Sequence, residues 1–418
     1  MRKNKAISVL AILIAIIMVA GLAGCNGGTT SDPTTPPPVT TPTPDAGNGG
    51  GEEVEAGVLT LGLIQPLTGP IAFGGQAAAN GAIMAAEEIN AAGGITIGGR
   101  QYTIELIIED DTGTPRDAAA AASKLIFQDE VPLIMGTFTS SATLAAAEIA
   151  NEEGVPIISP LSSAIGLTTS GFEYFFRGRV TTHGNVAYGA EAFAQLGFTT
   201  VGQLAINDDW GRGDLVEWPP LWEPYGVEVV IQETFDQGQT DFYPVLSRIL
   251  MAQPEAIFVT ASTEPASMIF TQLRELDPDI TILTSGGIDP TQTLALAGPD
   301  VLEGIWFWSV DLPDTPESLD FDARYRARFN IEPMSNAKSG YDVMQIVRIA
   351  FENAGTTTDH RAIRDALRQV EFHGIMGHYF FDDTGESFLR IAYGRFDSAV
   401  ERGFHIFTFE DMIAGNFS

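Results

Sequence analysis

The stretch from Val58 to Gly94, VLTLGLIQPLTGPIAFGGQAAANGAIMAAEEINAAGG, decides the fold of this chain. Its first part, up to Ile64, is a near-continuous apolar run of strand length, which predicts a strand buried on both faces. A loop rich in Gly and Pro follows, and from about Gln76 apolar residues recur at helical spacing until a double glycine ends the pattern. A buried strand, a tight loop and a helix form the first half of a βα unit. The carboxyl end of such a strand is where open α/β sheets bind ligands.

The same alternation of strand and helix continues along most of the chain. Strand-like runs at 102–109, 131–135 and 156–159 are separated by helical runs, and a second series extends from about residue 182 to residue 310. Strands that alternate with helices at this spacing predict parallel sheets built from βαβ units. Two series, each too small for the whole chain, predict an α/β protein with two Rossmann-like lobes.

Composition excludes one class of function. The chain has 418 residues, a formal net charge of −32 and 44% hydrophobic residues, which suits globular cores. Such a negative charge excludes a nucleic-acid partner on electrostatic grounds. Lysine occurs only at positions 3, 5, 124 and 338. An acidic, lysine-poor surface is typical of a soluble extracellular protein, and salt adaptation is the alternative.

The N-terminal segment predicts export and a lipid anchor. Residues 1–5 are basic, residues 6–20 are apolar, and Leu-Ala-Gly-Cys25 follows, which is the order of a secretory signal peptide over residues 1–24. The ending resembles the bacterial lipobox, and this resemblance implies that Cys25 is lipidated and holds the protein outside the cytoplasm on the cell membrane. A permanent membrane span is the weaker alternative, because the apolar run is shorter than the ~20 residues it needs. The Gly-, Thr- and Pro-rich residues 25–56 are predicted to form a tether.

The opening strand, its P-L-T-G-P turn and the ending E-E-I-N-A-A-G-G resemble the periplasmic binding proteins for branched-chain amino acids, which are receptors of ABC importers. His373–Gly377 and Phe380–Gly385 are similar to the G-x-x-G and F-D-x-x-G segments of that family. The resemblance covers residues 57 to about 410. It implies two lobes joined by a three-segment hinge. One lobe is expected to contain 57–180 plus 312–370, and the other 181–311 plus 371–418.

Two hydroxyl clusters follow neighbouring predicted strands. The first is the G-T-F-T-S-S run at 136–141, which opens a helix whose backbone N–H groups and hydroxyls can bind an anion without a cationic side chain. Either Ser140 or Ser141 is expected to cap that helix. The second, S-P-L-S-S at 159–163, read alone is an ordinary polar turn. The resemblance implies that Ser140 and Ser163 hold a ligand carboxylate, and the ligand-facing set predicted from these clusters also contains Thr139 and Ser162.

Aromatic walls for the ligand side chain are implied by the same resemblance. Phe73 lies at a loop position where the family carries such a wall, although a phenylalanine packed in the core is the alternative. Trp210, in N-D-D-W-G, is similar to the family's D-x-x-[YW]-G turn and would form the opposite wall. Thr263 and Tyr341 align with further ligand-facing positions.

The chain departs from the family at the residue that is expected to bind a ligand ammonium group. The branched-chain receptors place a carboxylate after the strand at 280–284, but the aligned residue here is Gly286. Asp289, three residues later, is predicted to reach the same space, and Glu264 is a possible substitute. If Asp289 merely starts the turn into Pro290, the ligand need not have an ammonium group, and amides, aromatic acids and short organic acids then compete with amino acids.

No pattern in the sequence predicts a metal, a cofactor or catalysis. The five histidines show no H-E-x-x-H spacing, the single cysteine excludes a thiolate metal site, and nucleotide and nucleophile-elbow motifs are missing. The leading hypothesis is a solute-binding lipoprotein that delivers a small amino acid, or a related carboxylate or amide, to an ABC permease. A sensory module that signals through a partner protein is the second hypothesis, and an α/β enzyme is the third.

Overall fold

The computed structural model describes residues 56–179, 182–309, 315–387 and 391–417. The predicted signal peptide, Cys25 and almost all of the predicted tether therefore lie outside the described residues. Two sheets and one small hairpin contain the strands. These are β1 (Gly57–Gln65), β2 (Ile95–Ile97), β3 (Arg100–Asp110), β4 (Ile134–Gly136), β5 (Ile157–Ser159), β6 (Phe175–Arg177), β7 (Thr200–Ile206), β8 (Glu228–Phe235), β9 (Ala256–Thr260), β10 (Thr281–Thr284), β11 (Trp306–Ser309), β12 (Glu371–His373), β13 (His378–Phe380), β14 (Ala392–Phe396) and β15 (Phe404–Phe407).

Helices follow most of the strands, as the alternating pattern predicts. They are α1 (Ala72–Ala91), α2 (Pro115–Phe127), α3 (Ser140–Glu153), α4 (Gly166–Thr169), α5 (Thr182–Ala194), α6 (Asp209–Trp222), α7 (Tyr243–Met251), α8 (Thr263–Leu276), α9 (Pro290–Ala297), α10 (Pro299–Leu302), α11 (Pro316–Phe329), α12 (Ser335–Ala354), α13 (His360–Arg368) and α14 (Phe409–Ala414), with a short 3-10 turn at Glu223–Tyr225. Among the described residues, no helix is both long enough and apolar enough to cross a membrane.

The first sheet has six strands in the order β2-β3-β1-β4-β5-β6. All neighbours pair in parallel except the short strand β2, which pairs antiparallel with β3. In β1, the residues from Leu61 to Gln65 are buried on both faces. This is the burial that the near-continuous apolar run predicts, because helices cover both faces of a parallel sheet.

Helix α12 returns to the first sheet and packs on α1. The two helix backbones approach closely, since a Cβ atom on Gly81 would overlap the carbonyl of Ala337, and one on Gly340 would overlap the carbonyl of Ala78. A buried cluster with Phe321 at its centre joins α11 to the same pair of helices. We refer to the first sheet, α1–α4 and α11–α13 as the first half of the protein.

The second sheet has seven strands in the order β15-β14-β11-β10-β9-β7-β8. Strands β7 to β11 pair in parallel, and β14 and β15 extend the sheet by antiparallel pairing. Trp218 and Trp222 of α6 are fully buried against Phe258 of β9. Replacing either tryptophan by alanine would cost about 3–5 kcal/mol of stability, the usual cost of such a cavity. This sheet with α5–α10 and α14 is the second half.

The hairpin β12–β13 remains attached to the first half. The backbone N–H groups of Ile375 and Met376 donate to the carboxylate of Asp342 on α12, at 2.9 and 2.8 Å. The next residues also stay there, because the backbone N–H of Arg177 donates to the carbonyl of Gly385 at 2.9 Å. The chain therefore reaches the second sheet after Ser387, and this point lies later than the boundary at residue 370 that the sequence predicts.

Several elements were not predicted from the sequence. The short strand β2 has only three residues, β14 and β15 lie in a segment where no strand or helix period stands out, and helix α9 begins directly after Asp289. Helix α14 contains Ile413 and ends at Ala414 in a region that the sequence patterns leave unassigned. Short antiparallel additions carry too few residues to show a period, which is why pattern reasoning misses them.

Candidate ligand-binding site

A cavity of about 280 Å³ lies between the two halves, at the carboxyl ends of their parallel strands. This is the position that the switch-point rule predicts for open α/β sheets. Residues after β1, β4, β5 and β6 line it from the first half, and residues after β7, β8, β9 and β10 line it from the second half. Both sheets therefore contribute to one site.

Three hydroxyl-bearing residues line the first-half wall: Thr139, Ser140 and Ser163. Thr139 caps α3, since its Oγ1 accepts from the backbone N–H of Ala142 at 3.3 Å. The cap is thus one residue earlier than predicted, and Ser140 is not needed for it. Oγ of Ser140 instead accepts from the backbone N–H of Ala164 at 3.1 Å, which links the two hydroxyl clusters. The structure brings both clusters to one wall beside the N-terminus of α3.

Ser162 supports this wall from behind. Its side chain is buried, is hydrogen-bonded to Thr143, and accepts from Oγ of Ser159 at 3.0 Å, and it is not among the cavity-lining residues. Arg177, fully buried, donates to the carbonyl of Ser162 at 2.6 Å and to that of Ala164 at 2.7 Å. These two carbonyls flank Ser163, so the guanidinium fixes the backbone that presents its hydroxyl.

A cationic side chain, Arg179, also lines the cavity. Burial lowers the pKa of its guanidinium to about 10, so it remains charged at neutral pH. One of its N–H groups donates to the carbonyl of Gly286 in the second half. A guanidinium carries five donors, and several of them therefore remain for a ligand oxygen or for water. The sequence reasoning missed Arg179 because it assumed an anion site without a cation.

Aromatic and aliphatic side chains provide the rest of the surface. Trp210 lines the cavity from the second half. Phe73 is 43% exposed and does not line it, so neither the predicted wall nor the core alternative describes its position. Phe138 lines the cavity from the first half instead. Residue 73 lies in the first turn of α1 on its exposed side, which is why its side chain stays outside the cavity.

Two carboxylates line the second-half wall. Glu264 lies in the first turn of α8, and its buried Oε1 has no hydrogen-bond partner among the described residues. Burial raises its pKa above the usual value. Asp208 caps α6 by accepting from the backbone N–H of Gly211 at 2.8 Å, and burial raises its pKa to about 6. A cationic group of a ligand would favour the charged form of either carboxylate and so offset the cost of burying it.

The aligned ammonium position, Gly286, has no room for a side chain. A Cβ atom there would overlap the ring of Trp308, which is buried. A Cβ atom on the neighbouring Gly287 would overlap the ring of Trp210 in the same way. Two indole rings therefore occupy the space in which a carboxylate at this loop would have to stand.

Asp289 does not line the cavity. Its Oδ1 accepts from the backbone N–H of Gln292 at 2.9 Å and caps α9, while its Oδ2 accepts from the backbone N–H of Ser335 at 2.9 Å. Thr263 is also outside the lining, because its Oγ1 accepts from the backbone N–H of Asp289 at 2.9 Å. This geometry does not support the predicted role of Asp289 as ammonium partner, and Glu264, the alternative considered from the sequence, lies in the cavity.

Tyr341 is another residue that the sequence predicts to contact the ligand. It is on α12, its hydroxyl donates to Glu88 of α1 at 2.7 Å, and its ring packs on Phe321. It is not a cavity-lining residue. The structure therefore assigns Tyr341 to the packing of α1, α11 and α12, and its aligned position did not reveal that its side chain turns toward these helices.

Within the described ranges, no group of three or more His, Cys, Asp or Glu is arranged to hold a metal. Two sheets, a cavity at the carboxyl ends of their strands and polar groups on both walls define a two-lobed α/β protein that encloses a small solute.

Comparison with known proteins agrees with this class. The family model described as "Periplasmic binding protein" matches residues 58–393, and the chain belongs to that family. Membership confirms the predicted fold class, a type I periplasmic binding fold, and a solute-binding rather than an enzymatic protein that acts outside the cytoplasm.

Relatives and solved structures support the same assignment. The chain is 28% identical, over 79% of its length and 87% of the relative, to the leucine-, isoleucine-, valine-, threonine- and alanine-binding protein of Pseudomonas aeruginosa. It is similar to the leucine-binding protein LivK of Thermotoga maritima, with a TM-score of 0.74 and 25% identity over 85% of this chain and 100% of that one. The branched-chain amino acid transporter protein LivJ of Streptococcus pneumoniae, in complex with isoleucine, has a TM-score of 0.72 and 27% identity, over 84% of this chain and 99% of that one.

Proposed function

We propose that this protein binds a small amino acid with an apolar side chain and delivers it to an ABC permease. The observation that carries the proposal is the distribution of charge in the cavity. Hydroxyls, the N-terminus of α3 and Arg179 lie on the first-half wall, and Glu264 and Asp208 lie on the second-half wall. A zwitterion between these walls meets a complementary partner at each end.

On this proposal, Ser140 and Ser163 hold the carboxylate together with Thr139, and Arg179 adds the positive charge. Glu264 pairs with the ammonium group, because its buried Oε1 lacks a hydrogen-bond partner in the part of the chain that the structure describes. Phe138, Trp210 and the other apolar lining residues surround the side chain. Those others are Ile71, Leu161, Ile206, Phe235, Pro265 and Met268.

The relatives' names favour branched-chain amino acids among the possible ligands. The test is calorimetric titration of the purified protein with a panel. The panel contains isoleucine, leucine, valine, threonine and alanine, and also 3-methylpentanoate, the deaminated analogue of isoleucine, and isoleucine amide. We expect the tightest binding for an apolar amino acid. Tighter binding of 3-methylpentanoate than of isoleucine would contradict the amino-acid assignment.

We also propose that ligand docks first on the first half and that the second half then closes over it by hinge motion. The proposed lobes are 57–180 with 312–387, and 181–311 with 391–418, so the third crossing lies later than the sequence suggests. Support for this boundary comes from the hydrogen bonds that hold residues 375–385 to the first half. The closed form is then the one presented to the permease.

Attachment through Cys25 completes the proposal. The Leu-Ala-Gly-Cys sequence after a basic and then apolar N-terminus supports lipidation and retention at the cell membrane. Cys25→Ala is expected to release the protein or to stall its processing. Equal incorporation of labelled palmitate into the wild type and this variant would contradict the lipid anchor.

A further inference from the structure

We propose that Asp289 is a latch that holds the two halves closed around the cavity. It belongs to the second half, at the start of α9, where its Oδ1 accepts from the backbone N–H of Gln292 at 2.9 Å. Its Oδ2 crosses to the first half and accepts from the backbone N–H of Ser335 at 2.9 Å. Ser335 is the first residue of α12, which packs on α1. One carboxylate thus caps two helices, one on each half.

Helix α12 depends on this bond for its cap. Its own N-cap residue, Met334, makes no side-chain hydrogen bond to the helix. The first N–H groups of a helix lack partners within the helix and attract negative charge, so a carboxylate is well suited to this position. Asp289 is only 6% exposed, so its bond to Ser335 is shielded from water. Separation of the halves would break the bond, and its formation therefore favours the closed arrangement.

A second contact between the halves is consistent with the same arrangement. The backbone N–H of Asp209, in the first turn of α6, donates to Oγ of Ser141, in the first turn of α3, at 3.0 Å. Neither this contact nor the one at Asp289 requires a ligand. The latch therefore acts on the ligand-free protein as well as on the complex.

The consequence for binding rests on the proposed closure around a ligand. When a ligand is held only by the closed form, its apparent affinity is reduced by the fraction of protein that is closed. A latch that does not touch the ligand raises the affinity for every ligand by the same factor. An ammonium partner would instead raise it only for ligands that carry an ammonium group.

Two substitutions remove the bond from opposite sides. Asp289→Asn keeps an oxygen for the N–H of Gln292, and Asn is as good an N-cap as Asp, but an amide cannot accept from both helices. Ser335→Pro removes the donor, at a first helical position that tolerates proline. The preceding Met334 has φ −108° and ψ 162°, the extended backbone that proline requires before it. The matched control is Asp359→Asn, because Asp359 caps α13 inside the first half alone.

Calorimetry with isoleucine and with 3-methylpentanoate gives the first readout. Each substitution is expected to lower the affinity for both ligands by the same factor, roughly 10- to 140-fold, the range for a lost hydrogen bond to a charged group. The double variant should lose no more than the larger single loss, and the control should bind as the wild type does. Losses confined to isoleucine would assign Asp289 to the ammonium group, and unchanged or additive affinities would show that the bond does not act in closure.

Hydrogen exchange of the ligand-free full chain gives a second readout that does not depend on the ligand. We expect the peptide covering residues 334–340 to exchange faster in Asp289→Asn than in the wild type and the control. Identical exchange would overturn the latch. If the wild type binds neither ligand nor any other amino acid of the panel, the proposed function fails and exchange alone decides on the latch. If Ser335→Pro melts far below the wild type, Asp289→Asn decides through both readouts.

Discussion

Replacing Glu264 by glutamine tests the proposed ammonium site most directly. The change removes a negative charge and keeps the size of the side chain, at a position in the first turn of α8 on the cavity wall. Oε1 of Glu264 is buried and has no hydrogen-bond partner within the described ranges, and burial raises the pKa of this carboxyl. A ligand ammonium group would supply the missing partner and favour the charged form of this carboxylate.

The expected magnitude follows from that burial. Truncating one partner of a buried, hydrogen-bonded charge pair costs about 2–5 kcal/mol. An amide oxygen still accepts one hydrogen bond, so we expect about 2–4 kcal/mol for isoleucine, or roughly 30- to 1,000-fold in affinity. For 3-methylpentanoate, which has no ammonium group, we expect less than about a tenfold change, because no charge pair is lost.

The assay is calorimetric titration of both ligands at neutral pH against the wild type and Glu264→Gln. Asp208→Asn tests the other cavity carboxylate while keeping the cap of α6, since Asn caps as well as Asp. Glu275→Gln, at the exposed far end of the same helix, is the matched control. Equal losses for both ligands would refute the pairing of Glu264 with the ammonium group, and a selective loss in Asp208→Asn alone would transfer that role to Asp208.

The other predictions concern the carboxylate end and the pH. Ser140→Ala and Ser163→Ala are each expected to weaken binding by about 1–3 kcal/mol, the cost of a lost charge-assisted bond, and unchanged titrations for both would place the carboxylate elsewhere. The affinity for isoleucine should fall as the pH is lowered through about 6, because burial raises the pKa of Asp208 to about 6 and that of Glu264 above its usual value. Protonation then removes the negative charge that the ammonium group needs, and an isoleucine affinity that is constant between pH 8 and pH 5 would contradict this pairing.

The fold could be predicted from the sequence to a large extent because its signals are periodic. Strand β1 and helix α1 were recognisable from a change of period at Gln76, and the alternation of strands and helices predicted two parallel sheets. The family model and the solved structures confirm that fold class. The hydroxyl-bearing loops could be placed too, since loops at the carboxyl ends of parallel strands meet at one edge of a sheet.

The individual site residues were harder to predict because sequence alignment fixes a position but not the direction of a side chain. Phe73 and Tyr341 occupy aligned positions, yet one is exposed on α1 and the other donates to Glu88 between helices. Arg179 could have been suspected, since a cation directly after β6 is unusual in a chain with 22 Lys and Arg against 54 Asp and Glu. Phe138 lies inside the first hydroxyl cluster, but only the packing shows that it faces the cavity.

The departure at Gly286 has a physical explanation that leads to Glu264. Trp308 of β11 fills the space beside residue 286, and the carbonyl of Gly286 accepts from Arg179 of the first half, so this loop supplies no carboxylate where the resemblance implies one. A negative charge must then enter the cavity from a neighbouring strand of the same sheet. Strand β9 is next to β10, and helix α8, which follows β9, carries Glu264 in its first turn. On the proposed assignment, the ammonium partner is displaced by one strand, while the carboxylate end keeps the hydroxyls of the family pattern. On this proposal, the shift changes the direction from which the ammonium group is bound relative to the carboxylate.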